Sequence, residues 1–331
     1  MNLLRDLRLP AIAGVSDSAD RPRWSVMIPT YNCADTLERT LRSVLDQDPG
    51  PAIMQIEVVD DCSTEDDPEP VVRKVAGKRV AFTRHAQNRG HVHNFNSCIT
   101  RSRGHLVHIL HGDDWVKDHF YSRLGTAFEG EPSVGAAVCR SLYMDHQGAE
   151  AGLTDLEREG RGIIDDWLVR ILSRQRICAP SIVVRREVYE HLGGFDPRFT
   201  TAGEDWEMWV RIAAHYPVWY EPEALACYRM SRPGSLTGNS LRTTRIAREM
   251  RRACGIIERR LQREIQEQKL KPHLTAARLF YAGWSLNYAQ SLIETGGVLQ
   301  VLPHLKEAFL YCPTPWMARR ISRLIRGLPL D

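Results

Sequence analysis

From residue 25 to residue 140 short apolar runs alternate with stretches of helical period, which commits the chain to parallel strands with helices crossing between them. "SVMI" (25–28) reads as a buried strand ended by Pro29. Leu37, Leu41, Val44 and Leu45 then form one apolar helical stripe, entered by Asp35 and Glu38 at the spacing of a capping box. "IEVV" (56–59) is a second strand that stops on Asp60 and Asp61, and a polar turn leads to a helix around 68–76. "RVAF" (79–82) is a third strand, followed by a helix from His91 to Arg101, and "LVHIL" (106–110) is a fourth. Three strand ends therefore carry polar groups: Thr30 to Asn32, Asp60 with Asp61, and Asp113 with Asp114. In open parallel sheets ligands sit beyond the carboxyl ends of the strands, so these loops are expected to share one crevice. Adjacent carboxylates repel, so Asp113 and Asp114 mark either a solvated turn or a cation site.

The 331 residues, 43% of them apolar, suffice for a full core, and the formal net charge is only +3. Its distribution is uneven. From Arg229 to the end 18 Lys and Arg stand against 7 Asp and Glu, so the tail is basic and the front acidic. The eight cysteines are scattered without a C-x-x-C pair, which fits neither a zinc site nor a disulfide framework and points to a reduced compartment. No apolar run approaches 20 residues, and the first 22 residues lack a continuous apolar segment, so they read as a loose leader. A cytoplasmic protein, with contact to the inner face of the membrane left open, is the expectation.

Further along, 146–162 is rich in Gly and charge and reads as a loop or flap. "PSIVVRR" (180–186) has strand character, and "EVYEHLGGFD" reads as a short helix closed by Gly193 and Gly194. Glu204 and Asp205 open another helix, on which Trp206, Trp209, Val210 and Ala213 fall at helical spacing; the two tryptophans read as core more than as sugar platforms. Beyond about 240 the pattern is helical only. An Arg-rich amphipathic helix (241–268) precedes a hairpin of 273–294 and 299–311, joined at Gly296 and Gly297, and a last basic helix. The expected division is a leader (1–22), a catalytic domain (23–232) and a helical C-terminal region (233–331). The Arg-rich helix is a solvated face packed on the domain, a surface for anionic lipid, or a protein or oligomer contact. Nucleic acid is not expected, because aromatic residues are not interleaved with the basic ones.

No G-x-G-x-x-G follows the first strand and no G-x-x-x-x-G-K-[ST] occurs, so a dinucleotide fingerprint and a P-loop are both excluded. Phosphate handling then falls to a cation such as Mg²⁺ or Mn²⁺ held by Asp113 and Asp114. "SVMIPTYN", "EVVDDCSTED", "NRGHVHNFN", "HGDDW" and "GGFDPRF…GEDWEMWVRI", in that order over roughly 24–232, resemble the motif set of glycosyltransferase family 2. The resemblance implies a GT-A type α/β fold with a mostly parallel, Rossmann-like sheet, here followed by an all-α extension. It implies that Pro29, Thr30 and Tyr31 line a nucleobase pocket with Asp61 accepting from the base, and that Asn88, Gly90 and Asn94 lie in the loop closing over the donor. Asp113 would bind ribose or donor sugar, Asp114 the Mn²⁺ or Mg²⁺ on the diphosphate, and Asp205, with Glu204 beside it, would supply the catalytic base.

The family often has Tyr-Arg-x-His after the last strand, whereas "YRMS" here puts Ser231 in the His position. No Gln-x-x-Arg-Trp follows the acidic pair, which argues against a processive synthase. The expected activity is inverting transfer of one sugar from a nucleotide-sugar, UDP-linked by preference, to a glycan or lipid-linked acceptor in cell-surface polysaccharide assembly. An idle sugar-nucleotide-binding scaffold is the alternative. A nucleotidyltransferase ranks lower, since "PTYNCAD" lacks the Gly- and Arg-rich loop that chemistry wants.

Overall fold

A computed structural model describes residues 9–16, 20–230, 243–262, 265, 267–294 and 298–327. The chain forms two compact units. The first takes the residues up to Trp167, Arg176–Thr200 and Arg211–Met230; the second takes Leu168–Gln175, Thr201–Val210 and the chain from Ser231 on.

The first unit is built on one sheet. Its front half repeats strand and helix: β1 (Trp24–Thr30), α1 (Ala34–Leu45), β2 (Met54–Asp60), α2 (Pro68–Ala76), β3 (Ala81–Arg84), α3 (His91–Arg101) and β4 (Leu106–Ile109). There follow β5 (Trp115–Val116), α4 (Phe120–Gly130), β6 (Ala136–Met144), β7 (Glu150–Leu153) and β8 (Gly162–Ile163). After α5 (Trp167–Ser173) come β9 (Ile182–Arg185), α6 (Arg186–Leu192), α7 (Glu204–His215) and β10 (Val218–Arg229). The strand order is β3-β2-β1-β4-β9-β6-β10-β5, with β7 on β6 and β8 on β10. The pairs among β1 to β4 are parallel, as is β6 with β10, while β9 runs antiparallel between β4 and β6. The sheet is thus mixed and mostly parallel at the end that carries the acidic loops.

The stripe on α1 explains its seat: Leu37, Leu41 and Val44 are fully buried against Val26, Ile28 and Val58. Each such side chain contributes about 1.5–3 kcal/mol over an exposed one. The helix does not open with the capping box its sequence suggests. Glu38 pairs instead with Arg42 at 2.8 Å, and the Ala34 N–H donates to Asp66 Oδ2 at 2.7 Å from the loop after β2. That loop is itself ordered as a helix start, because Asp67 accepts from Glu69 N and Pro68 opens α2.

Three further expectations shift. The first strand does not stop at Pro29 but continues to Thr30, in register with Val59 and Asp60. The third begins at Ala81, because Arg79 turns back to grip Asp48 through two bonds of 2.6 Å. The segment 146–162 is not simply a flap, since β7 adds to β6 and β8 to β10. Every residue of β7 is exposed, so no alternation of apolar and polar residues announced it.

In the second unit the first half of α7 and most of α5 lie with the C-terminal helices α8 (Arg245–Leu261), α9 (Glu267–Glu294), α10 (Val298–Tyr311) and α11 (Pro315–Ile325). Trp206 and Trp209 are buried; the Trp206 indole N–H donates to the Ile171 carbonyl at 2.6 Å and its ring lies 5.3 Å from that of Tyr281. Arg260 bridges α8 to Glu207 at 2.7 Å. The α9–α10 hairpin closes through Ser285, whose hydroxyl donates to the His304 carbonyl, and through the Tyr281 and Tyr311 rings, 6.0 Å apart. Gly296 and Gly297, expected at its turn, and Ser231, expected near the metal, lie outside the described residues.

Candidate functional site

The parallel register brings the ends of β1 and β2 side by side, with Thr30 opposite Asp60 and the Asp61 N–H on the Thr30 carbonyl at 2.9 Å. Both aspartates here are buried, and each of their oxygens accepts a hydrogen bond. Asp60 accepts from the Ser63 hydroxyl at 2.5 Å and from Arg84 Nε at 2.6 Å. Asp61 accepts the Arg89 N–H on one oxygen (2.9 Å) and the Gly90 N–H on the other (2.8 Å). Its carboxylate therefore pins the loop before α3. Asn88 Oδ1 accepts the same Gly90 N–H at 3.1 Å, and Gly90 turns the chain at φ +87°, a conformation costly for any residue with a Cβ. On the next turn Asn94 donates to the Val59 carbonyl at 2.8 Å, while its Oδ1 is buried without a hydrogen-bond partner. Asn32, held at φ +48°, accepts from Thr64 N and fastens the β1 loop to the β2 loop; Tyr31 beside it is exposed and Thr30 buried.

The end of β4 is built differently. Gly112 has no room for a side chain: a Cβ there would stand 2.5 Å from Thr30 Cγ2 and 2.8 Å from Cys33 Sγ. Its carbonyl accepts from the hydroxyls of Thr36 (2.9 Å) and Thr40 (3.1 Å), and Thr40 also donates to the Asp114 carbonyl at 2.7 Å. Two buried threonines one turn apart on α1 thus hold the "GDD" backbone. Asp114 is buried; Oδ1 accepts the Arg229 N–H from the end of β10 at 2.8 Å, and Oδ2 has no hydrogen-bond partner and lies 3.6 Å from His111 Nδ1. Burial, with the Asp113 charge beside it, pushes this carboxyl well above the usual carboxylate range, against the pull of Arg229. The ligand atoms of His111, Asp113 and Asp114 lie within 4.8 Å of one another. One imidazole nitrogen and two carboxylates, one with an orphaned buried oxygen, make a donor set that fits a hard or borderline divalent cation.

The two histidines of β4 and the turn after it have separate parts. His111 joins the acidic pair and stacks on Phe95 at 4.9 Å. His108 is fully buried with Nε2 3.0 Å from the Pro180 carbonyl and Nδ1 3.2 Å from the Tyr121 hydroxyl. A carbonyl only accepts, so Nε2 carries the proton, and burial lowers the pKa to about 3. It is a neutral core residue.

Glu204 and Asp205 belong to the second unit, at the start of α7. Asp205 Oδ1 accepts the Trp206 N–H at 2.7 Å and Oδ2 accepts the Gln175 side-chain amide at 2.6 Å, while Glu204 is buried. The residues not singled out from the sequence as parts of the site are Thr36, Thr40, Gln175 and Arg229. The signal for the threonines was a pair of hydroxyls at i, i+4 within an apolar helix face. Arg229 acts through its backbone, which leaves no trace in residue type.

The acidic loops of this α/β sheet lie at the carboxyl ends of its parallel strands, where ligands sit in folds of this class. The family model for glycosyl transferase family 2 matches residues 25–193, just over half of the chain, and the chain belongs to that family. An uncharacterized protein of Mycobacterium tuberculosis is 37% identical over 123 residues, 37% of each chain. O-antigen biosynthesis protein RfbC of Myxococcus xanthus is 27% identical over 210 residues, 58% of this chain and 16% of RfbC. The matches to curated relatives span between 16% and 56% of those proteins' own lengths. Among solved structures, S. aureus TarS 1-349 in complex with UDP-GlcNAc superposes with a TM-score of 0.69 at 14% identity, over 93% of both chains. The mannosyltransferase from Pyrobaculum calidifontis in complex with GDP-Man and Mn²⁺ gives 0.56 at 20% identity, over 92% of this chain and 85% of the other. The fold is GT-A, with C-terminal helices. No helix among the described residues is long and apolar enough to cross a membrane.

Proposed function

We propose that this protein is a divalent-metal-dependent, inverting glycosyltransferase that moves one sugar from a nucleotide-sugar, a UDP-sugar by preference, to a glycan or lipid-linked acceptor on the cytoplasmic side of the membrane. The observation that carries the reading is Asp114: a carboxylate buried beside Asp113 and His111, with one oxygen lacking a hydrogen bond, at the strand end where this family handles the donor. Such a group is costly without a counter-charge, and a cation supplies one. Mn²⁺ or Mg²⁺ bound there stabilises charge on the departing diphosphate. His111 supplies a third side chain in that cluster, so the reading does not depend on Ser231.

Pro29, Thr30 and Tyr31 line the base, and Asp61, with two of its lone pairs already on the Arg89 and Gly90 amides, presents those remaining to the donor. Asn88, Gly90 and Asn94 form the loop over the donor, Asn94 offering a buried, unpaired carbonyl oxygen. Asp113 holds ribose or the donor sugar. Asp205, oriented by Gln175 and backed by Glu204, takes the proton of the acceptor hydroxyl as the new bond forms, and attack opposite the leaving group inverts the anomeric carbon. The named relatives RfbC, of O-antigen biosynthesis, and TarS, bound to UDP-GlcNAc, support polysaccharide assembly and a UDP-sugar.

The test is thermal stabilisation by UDP, GDP, CMP, dTDP, ADP and NAD, each with and without Mn²⁺. A nucleoside diphosphate, UDP above the rest, should stabilise only with Mn²⁺. Asp205→Asn should keep that shift while turnover drops by about a hundred- to ten-thousandfold. Stabilisation indifferent to metal, or binding of a sugar nucleotide without any turnover by the parent chain, would point to the idle scaffold.

A further inference from the structure

The Arg-rich helix α8, the first candidate for an anionic surface, pairs most of its cations within the protein. Arg251 reaches Glu307 at 3.0 Å, Arg260 reaches Glu207 at 2.7 Å, and Arg252 reaches Glu249 at 3.6 Å. Helices α10 and α11 are arranged differently. On α10 Leu302, Lys306, Phe309 and Leu310 are exposed at i, i+4, i+7 and i+8, one continuous stripe on the side away from buried Val301, Leu305 and Ala308. Trp316 and Ile325 on α11 are exposed too, Leu302 and Ile325 to 67% and 61%. Five cations accompany them: Lys306, Arg319, Arg320, Arg323 and Arg326. The single carboxylate between 298 and 327, Glu307, is buried under Arg251.

From this we infer that α10 and α11 form a docking surface for an anionic lipid bilayer. An apolar stripe with an interfacial tryptophan, flanked by cations and with no exposed acid, has the two properties that peripheral membrane helices combine. Charge decides between occupants. A second copy would set five cations against five across the stripe, whereas a bilayer bearing anionic headgroups neutralises them and takes up the exposed Leu, Phe and Trp side chains. The surface uses none of the residues assigned to donor or metal. It would bring the enzyme to where a lipid-linked acceptor resides.

Cosedimentation of the full chain with phosphatidylcholine vesicles, and with vesicles of equal parts phosphatidylcholine and phosphatidylglycerol, tests it. The chain should pellet with the anionic vesicles, less so as salt rises, and stay in solution with the neutral ones. Phe309→Ser combined with Leu310→Ser should weaken partition about tenfold or more. Arg319→Glu combined with Arg326→Glu should weaken it by more than about 25-fold, at about fivefold for each charge lost. Both variants should keep the parent's melting temperature and its Mn²⁺-dependent nucleotide shift, which separates a failure here from a failure of the proposed activity. Equal partition to neutral vesicles, no partition to either, or variants that pellet like the parent would overturn the inference. A dimer that dissociates on substituting the stripe would assign the surface to a second copy and overturn it as well.

Discussion

Two Asp-Asp dipeptides end parallel strands at the same edge of this sheet, and they do opposite things. At Asp60 and Asp61 every carboxylate oxygen takes a hydrogen bond, from a hydroxyl, a guanidinium or a backbone amide. At Asp114 threonine hydroxyls hold the backbone carbonyls on either side of Asp113, Oδ1 accepts the Arg229 N–H, and Oδ2 is left buried and without a hydrogen bond. The first pair is bound into the architecture. The second is kept in place by the architecture and not consumed by it, which is what a ligand for an exchangeable ion requires.

The comparison can be broken by substitution. Asp114→Asn should have the largest effect: transfer falling about a thousandfold and the Mn²⁺-dependent nucleotide shift abolished. Its melting temperature without metal should hold or rise, because the costly buried carboxylate is gone. Asp61→Ala should weaken the nucleotide shift and, unlike Asp114→Asn, also lower stability by about 2–3 kcal/mol by orphaning the Arg89 and Gly90 amides, as read from chemical denaturation. If both variants lost stability equally, the distinction between the pairs would fail. Gly112→Ala sharpens it from the scaffold side. A methyl group 2.5 Å from Thr30 Cγ2 should cost about 2 kcal/mol and weaken Mn²⁺ binding without touching a ligand, measurable by metal titration of the melting temperature.

The smallest effect is expected at His108. Its folded pKa, about 3, lies below the unfolded value near 6.5, so the unfolded chain takes up a proton that the folded chain refuses. The stability this histidine preserves is complete above pH 6.5 and is lost as pH falls toward 3, at up to about 1.4 kcal/mol per pH unit. His108→Asn should flatten the pH dependence of unfolding between pH 6.5 and 5. An unchanged slope would mean that the buried ring does not set the acid sensitivity.

How much of this was legible follows from what each feature is made of. The strand and helix order of residues 24–110 rests on side-chain periodicity, and periodicity is a property of sequence; hence α2 and α3 lie where 68–76 and 91–101 were read. The segment 150–153 pairs through its backbone with every side chain in solvent, so nothing in residue type distinguished β7 from a loop. At the site, "DD" was visible twice and identical twice. Which pair was hydrogen-bonded on every oxygen depended on Ser63, Arg84, Arg89 and Gly90, whose approach is set by register and turn geometry that no spacing rule encodes. The Arg-rich helix stayed open among three readings for the same reason, for its charge was plain but the carboxylates that pair with Arg251 and Arg260 come from α10 and α7.

Pro29 carries one more consequence. Its carbonyl accepts the Gly112 N–H at 3.1 Å, as Met27 accepts that of Leu110 at 3.0 Å, so the strand faces β4 at both positions. A residue with an N–H at position 29 would add a further rung there, to the carbonyl of Leu110; proline cannot. Here the ladder is left open by chemistry instead of by distance. The seam of β1 with β4 is closed on either side of that gap, by the Leu110 N–H on Met27 and the Gly112 N–H on Pro29, so the strands stay side by side with one rung fewer. A residue with an N–H at position 29 would trade the pyrrolidine ring for that one rung, at the strand end from which the site is built.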